Sequence, residues 1–433
     1  DAALDLYLEL RQRRRAAFEW LCMSRWALEQ GRAAKALCHA EEALEVFQAL
    51  GSSSEPLALA ALFEAHLAEG RPGRAARPVK QALCRFEDSG ERACEAQTLR
   101  LLSRLHRACA RDQQALEAAE RALCIYRELG DEEGEGRQLE ALASLHGAMG
   151  QHQKVLQLAS KTPRLGLMRC LVEAHSALQH LGAAREVAED MERLCETRGD
   201  DEGRAAALLL LGTLALREER LEEAARTAGV AQSLCQETQD LRGESQALRL
   251  LCDVYARREE HKAAVRAAEQ ARARLRELGD EAGETEALYL LAQHAVSLAI
   301  REGAQVENPR ASRSCREALA KASKAAAVSV KQARGSQPHL LACALCVQSQ
   351  VEMLSGRLQE ALSASDEGVV LFRSLGDDAS EASALLLSAD ALRATSRYAE
   401  AQEAAAEALR LFQGEAKGEA RALELLAFLR ARL

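Results

Sequence analysis

The sequence predicts an all-α solenoid of about ten antiparallel helix pairs, and three observations carry that expectation. The composition is helical: 48% of the 433 residues are apolar but only 3% are aromatic, with 6 prolines and 26 glycines. Residues of the Ala/Leu/Glu/Arg type lose least on entering a helix, whereas a sheet protein needs more Val, Ile and aromatic side chains. A turn signal returns with a period near forty, as internal repeats do. Small residues recur along every second helix at one-turn spacing.

The turn signal reads Leu50-Gly51-Ser52, Ser89-Gly90-Glu91, Leu129-Gly130-Asp131, Arg198-Gly199-Asp200, Leu278-Gly279-Asp280 and Leu375-Gly376-Asp377, with degenerate copies at Thr238-Gln239-Asp240 and Gln413-Gly414-Glu415. Glycine there accepts the left-handed conformation that ends one helix, and aspartate caps the next. A second punctuation falls midway, at Gly31, Gly70, Gly150, Gly182 and Gly356. Each unit is thus a helix A, a short turn, a helix B and a Gly-Asp turn. In helix A the apolar stripe Leu248, Leu251, Cys252, Tyr255 reappears forty residues on as Leu288, Leu291, Ala292, Ala295. In helix B the triplets Ala36, Ala40, Ala43; Ala115, Ala119, Ala122; Ala264, Ala268, Ala271; and Ala401, Ala405, Ala408 predict close helix–helix approach. Carboxylates at helix starts are explained by capping.

This pattern resembles the tetratricopeptide repeat in a variety of about forty residues. Trp20 stands at the family's tryptophan, Met23 at its leucine, Ser24 at its small residue and Ala27 at its tyrosine; later units replace the tryptophan by leucine, and Gly-Asp stands in place of the closing proline. The resemblance covers nearly the whole chain. It implies a right-handed superhelix whose A helices line the inner wall. Carrying the family's inner positions over gives Arg100, Arg104, Arg107, Arg137, Glu140, Arg249, Asp253 and Arg257 as partner-binding residues, with Leu209, Leu216 and the aromatic Tyr289. The expected function is a non-enzymatic scaffold that grips a protein segment on the A helices, an acidic or C-terminal segment at Arg100, Arg104 and Arg107. The alternatives are a permanent structural subunit of a large complex, organellar or membrane-associated, and a regulatory domain of a longer signalling protein or enzyme.

Two places break the period. The unit after Gln151 is shortened at Lys161-Thr162-Pro163, and a polar excursion follows Ile300. The expected organisation is therefore 1–150 for N-terminal repeats with a leading helix and 151–300 for middle repeats that begin with the truncated unit. Residues 301–313 form an inserted loop, and 314–433 hold the C-terminal repeats and a capping helix.

Net charge is −9, so the molecule as a whole has no attraction for nucleic acid, which is not expected as a partner. No apolar run is long enough to cross a membrane; peripheral association with a membrane complex stays open. Against this background Arg11, Arg13, Arg14 and Arg15 form one basic cluster, and Arg313, Arg316, Lys321, Lys324, Lys331 and Arg334 another, a face for an anionic surface. Of the thirteen cysteines, Cys84 and Cys124 lie forty apart, as do Cys195 and Cys235; recurrence of this kind predicts small buried residues rather than bridges. A reducing compartment follows, cytoplasmic or an organellar matrix or stroma. The chain opens at Asp1 without an initiator methionine, as after processing or trimming. His66, His106 and His146, also forty apart, read as packing residues. Cys343 and Cys346 form an isolated CxxC inside a helix, read as structural. No HExxH, Walker loop, Gly-x-Gly-x-x-Gly or Gly-x-Ser-x-Gly is present, so no catalytic residue, metal site or cofactor is assigned.

Overall fold

The computed structural model describes residues 4, 6–7, 10–158, 164–304, 313–335, 337–412 and 414–432. Among them the secondary structure is helical, without strands. The chain divides into two compact units, residues 1–188 and 189–433, and each is a file of helix hairpins in which neighbours in sequence pack on one another. In the first unit the A and B helices alternate as α1 (Arg13–Glu29), α2 (Ala33–Ala49), α3 (Glu55–Ala68), α4 (Ala76–Ser89, entered through a 3₁₀ turn at Pro72–Ala75), α5 (Arg92–Ala108), α6 (Asp112–Leu129), α7 (Glu132–Ala148), the short α8 (His152–Gln157) and α9 (Leu165–Ala177). Helix α10 (Leu181–Arg198) spans the division. The second unit continues with α11 (Asp201–Arg217), α12 (Leu221–Glu237), α13 (Leu241–Arg257), α14 (His261–Leu278), α15 (Glu281–Ala304), α16 (Arg313–Ala333), α17 (Pro338–Ser355), α18 (Leu358–Leu375), α19 (Asp378–Ala394), α20 (Tyr398–Leu411) and the closing α21 (Ala416–Arg430). Each unit is thus an all-α file of helix hairpins as the sequence predicts; among the described residues α1–α20 form ten pairs, and α21 packs on the last.

The turn chemistry works as expected. Gly130, Gly279 and Gly376 end α6, α14 and α18 in the left-handed region, at φ 66°, 69° and 71°. The carboxylates of Asp131, Asp200 and Asp280 then accept the backbone N–H of Gly134, Gly203 and Gly283, each at 2.9 Å. At Gln239 a glutamine takes the same turn with φ 59°. One punctuation is misread: Gly182 lies within α10, and the turn before it is made by Gln179, at φ 61°. Non-glycine residues also hold the mid-hairpin turns at Ala110, Glu219, Glu259 and Ser396, which is why no glycine marks those hairpins.

The small-residue triplets of helix B are buried as predicted, from Ala36, Ala40 and Ala43 to Ala401, Ala405 and Ala408. The helices of a hairpin approach so closely that a side chain on A reaches the main chain of B twelve residues later. Ser24 donates to the Ala36 carbonyl (2.8 Å), Ser349 to that of Ala361 (2.8 Å) and Cys252 to that of Ala264 (3.4 Å). Around these seams sit the larger core side chains, Phe47, Leu59, Phe63 and Leu99 in the first unit and Leu214, Leu248 and Leu288 in the second.

The cysteine reading needs correction for one pair. Cys195 and Cys235 are buried, but Cys84 and Cys124 are exposed. The two pairs occupy different repeat positions: the first lies four residues before the terminating turn and the second six, which rotates the side chain by about 200° at 100° per residue. Phe86 and Tyr126 hold the buried position in those units. Cys195 and Cys235 fit it because the next A helix comes close. A Cβ on Gly203 would lie 2.7 Å from the Cys195 sulfur, and one on Gly243 would lie 2.6 Å from that of Cys235. The glycine that follows the Gly-Asp turn thus makes room for the preceding helix. His66, His106 and His146 are buried, as packing residues should be.

The expected loop over 301–313 does not open at Arg301. Helix α15 continues to Ala304, because Lys262 pairs with Glu302 at 2.6 Å and the Arg301 guanidinium donates to the Glu259 carbonyl. Residues 305–312 of that segment, and 159–163 at the truncated unit, lie outside the described residues.

Candidate partner-binding face

Each A helix buries one side against its own B helix and adjacent hairpins, leaving a strip of side chains exposed. Where successive A helices pack, these strips adjoin. In the first unit Arg104 on α5 pairs with Glu64 on α3 and lies over the Phe63 ring, 5.3 Å from its centroid. Its charge is therefore already engaged. Arg100 is half-buried and Arg107 exposed on the same helix. Arg137 is held on its own helix by Glu133 at 2.6 Å. The arginine patch is thus less positive than the sequence suggests.

In the second unit Arg249 on α13 pairs with Glu286 on α15 at 2.7 Å, and Arg257 is exposed a little over two turns further along α13. Asp253 between them is half-buried, and burial pushes its carboxyl above the ordinary range despite the two arginines. Leu209 and Leu216 on α11 pack against the buried Leu250 and Leu251 of α13, so they seal the junction between A helices rather than standing free.

Tyr289 opens onto a groove on this face. Of about 400 Å³, it crosses α15, α17 and α19 and ends at α21, lined by Tyr289, Gln293, Cys346, Gln350, Ser383 and Leu387, with Arg421 and Lys417 at the far end. Burial pushes the Tyr289 hydroxyl up to about 12, so it stays a hydrogen-bond donor. The Cys346 thiol is likewise pushed up to about 12, first by burial and then by Cys343. The wall is therefore neutral over most of its length, with amide and hydroxyl groups set among apolar ones. Arg421 is anchored by Asp390 at 3.1 Å, and no ion pair engages Lys417 among the described residues. Extended backbone needs this combination, since its N–H and C=O groups must find partners when they leave water.

Apart from Tyr289 and the CxxC cysteines, the groove residues carry no signal in the sequence. Gln293, Gln350 and Ser383 carry uncharged side chains, and a search for charge clusters passes over them. The basic stretch on α16 is partly neutralised: Arg313 pairs with Glu317 (2.7 Å), Lys321 with Glu269 (2.9 Å) and Arg334 with Glu367 (3.2 Å). Arg316, Lys324 and Lys331 are the cations of that helix without an ion pair among the described residues. The CxxC cysteines belong to the groove wall, and both are free thiols. No helix among the described residues is long and apolar enough to cross a membrane.

No family model matches the sequence, and no curated protein matches it. Solved structures do. The apo form of the quorum sensor NprR from B. thuringiensis aligns with 94% of this chain and 99% of its own, at 10% identity and a TM-score of 0.50. A signal-transduction ATPase with a tetratricopeptide repeat sensor from Pyrococcus horikoshii aligns at 14% identity and a TM-score of 0.49, over 85% of this chain. This chain spans 54% of that ATPase. A Rap protein complexed with competence and sporulation factor covers 79% of the chain at 14% identity and a TM-score of 0.46. These similarities concern the fold.

Proposed function

We propose that this chain, which has the fold of the tetratricopeptide-repeat-like superfamily, is a non-enzymatic interaction scaffold that holds an extended segment of a protein partner on its A helices. The observation that carries the reading is the groove across α15, α17, α19 and α21, where Tyr289, Gln293, Gln350 and Ser383 present donors and acceptors among apolar side chains. Main-chain hydrogen bonds give such a site affinity, and the apolar pockets between them give selectivity. At the α21 end Lys417, which no ion pair engages among the described residues, favours an acidic group on the bound segment, while Arg421 is matched by Asp390 and Glu415 stands beside them. The exposed strips of α5 and α13, with Arg107 and Arg257, extend the contact in their own units.

The test is co-purification from native extract with the full chain and two variants. Gln350→Arg fills the groove with a long charged side chain, and Lys417→Glu reverses the charge at its end. Each variant is expected to lower partner recovery by about tenfold, the effect of losing roughly 1.4 kcal/mol. Unchanged recovery with both variants, with helicity intact by circular dichroism, would remove the groove from consideration.

A further inference from the structure

The groove wall holds two thiols that the binding of a main chain does not use. Cys343 and Cys346 sit on consecutive turns of α17, and both line the groove. Their surroundings differ. Burial, and then Cys343, push the Cys346 thiol up to about 12, so it keeps its proton. Cys343 has a base beside it: its sulfur lies 3.8 Å from Nδ1 of His339, one turn back on the same helix. Nε2 of that ring lies 3.3 Å from Oδ2 of Asp377, in the turn before α19. The ring also packs edge-on against Phe372 of α18, with centroids 5.6 Å apart. A carboxylate only accepts, so in the neutral ring Nε2 carries the hydrogen and Nδ1 is left to accept from the thiol. A thiol, an imidazole and a carboxylate thus stand in sequence, the order that activates a nucleophile.

Two limits narrow its chemistry. Cys343 lies past the first four N–H groups of α17, so the backbone donors around it are spent on the helix and cannot serve as an oxyanion hole for acyl transfer. Exchange with a disulfide builds no oxyanion. On a helix, Cβ atoms three residues apart are about 5–6 Å from one another, beyond the roughly 3.5–4.5 Å that a disulfide spans. Cys346 therefore does not close a bond to Cys343 while α17 stays helical.

We propose that Cys343 is a site of mixed-disulfide formation with a small peptide disulfide of the glutathione class. The thiol proton passes to Nδ1 of His339, and Asp377 holds the imidazolium. The Cys343 sulfur attacks one sulfur of the small disulfide, that S–S bond breaks, and the leaving thiolate takes the proton from the imidazolium. One thiol and one disulfide give one mixed disulfide and one thiol, with the small disulfide as oxidant. Burial, and then Asp377, push the resting Cys343 thiol up, so the thiolate forms as the histidine takes the proton, and the histidine governs the rate. The groove, of about 400 Å³, falls within the range of small-ligand sites, roughly 300–1,000 Å³, and its amide and hydroxyl groups suit a peptide carrier. The mixed disulfide is the end product, because Cys346 neither ionises nor reaches it.

The experiment incubates the full, reduced chain with glutathione disulfide at neutral pH and locates adducts over time by peptide mass spectrometry. Cys343 should be modified at least about tenfold faster than Cys84 and Cys124, which are exposed but bonded to no histidine among the described residues. His339→Gln should lower the Cys343 rate by at least about tenfold and leave those of Cys84 and Cys124 unchanged. Asp377→Asn keeps a side chain able to cap α19 and should lower the Cys343 rate by a smaller factor, again without moving the other two. His339 is exposed, so circular dichroism of its variant should match that of the parent chain. Earlier modification of Cys84 or Cys124, an unchanged Cys343 rate in His339→Gln, or a Cys343–Cys346 disulfide in place of the adduct would overturn the proposal.

Discussion

The glutamate near the start of many A helices reads in sequence as a cap, yet Glu244 and Glu381 are buried and reach back to the preceding hairpin. Arg127 donates to Glu135, Gln236 to Glu244 and Arg373 to Glu381, each at 2.8 Å and each across eight residues. These bonds tie one hairpin to the next, and Arg274 adds a second contact to Glu244 at 2.9 Å. In one unit the polarity is exchanged: Arg204 occupies the glutamate position and faces Glu196 at 3.5 Å and Glu192 at 3.9 Å. Arg204→Glu should therefore cost about 1 kcal/mol through like-charge repulsion, and adding Glu196→Arg should return at least half of it. Urea unfolding of the single and double variants checks this. A double variant no more stable than the single would show that the pair is incidental. The eight-residue correlation between arginine or glutamine and glutamate is present in the sequence. It was hidden because a capping role explains each glutamate alone, whereas the bond appears only once the junction between hairpins is built.

At the scale of the element, helix ends were legible where glycine and aspartate mark them, and illegible where other residues adopt the same conformation. Glycine reaches the left-handed region freely, while a side chain there costs about 1–2 kcal/mol. Gln179 bears that cost without a sequence signal, so its turn was assigned to Gly182 instead, whereas the Asp240 that follows Gln239 still marks that turn. Gln239→Gly should accordingly stabilise the second unit by about 0.5–1 kcal/mol, whereas Gly279→Ala should destabilise it by about 1 kcal/mol. Thermal melts of the two variants should move in opposite directions, and a shared direction would contradict this account of the turns. Side-chain direction was harder still to foresee. Cys84 and Cys195 both sit near the end of a B helix, and a difference of two residues places one thiol in solvent and the other in the core. The periodicity of helix B fixed the alanine seam because three small residues repeat there; a single cysteine carries no comparable pattern.

For the whole molecule, the repeat explains both what could be foreseen and what could not. A period near forty dictates hairpins that each lean on their neighbours in sequence, so the helical array was legible before any coordinate. The binding face was only partly so. Tyr289 stood out as an aromatic at an inner position, but Arg104 and Arg249 lost their appeal as free charges once Glu64 and Glu286 were seen beside them. Pairings between units forty residues apart depend on how far one A helix slides along the next, which periodicity alone does not set. The neutral residues of the groove escaped notice because their value lies in being neighbours across four helices. The central claim is that a partner segment runs along this A-helix face, and site-specific photo-crosslinking tests it most directly. A benzoylphenylalanine placed at Gln350 or Ser383 should capture the partner from native extract, while one placed on the exposed B-helix positions Arg266 or Lys331 should not. Capture from the B-helix positions alone would contradict the account.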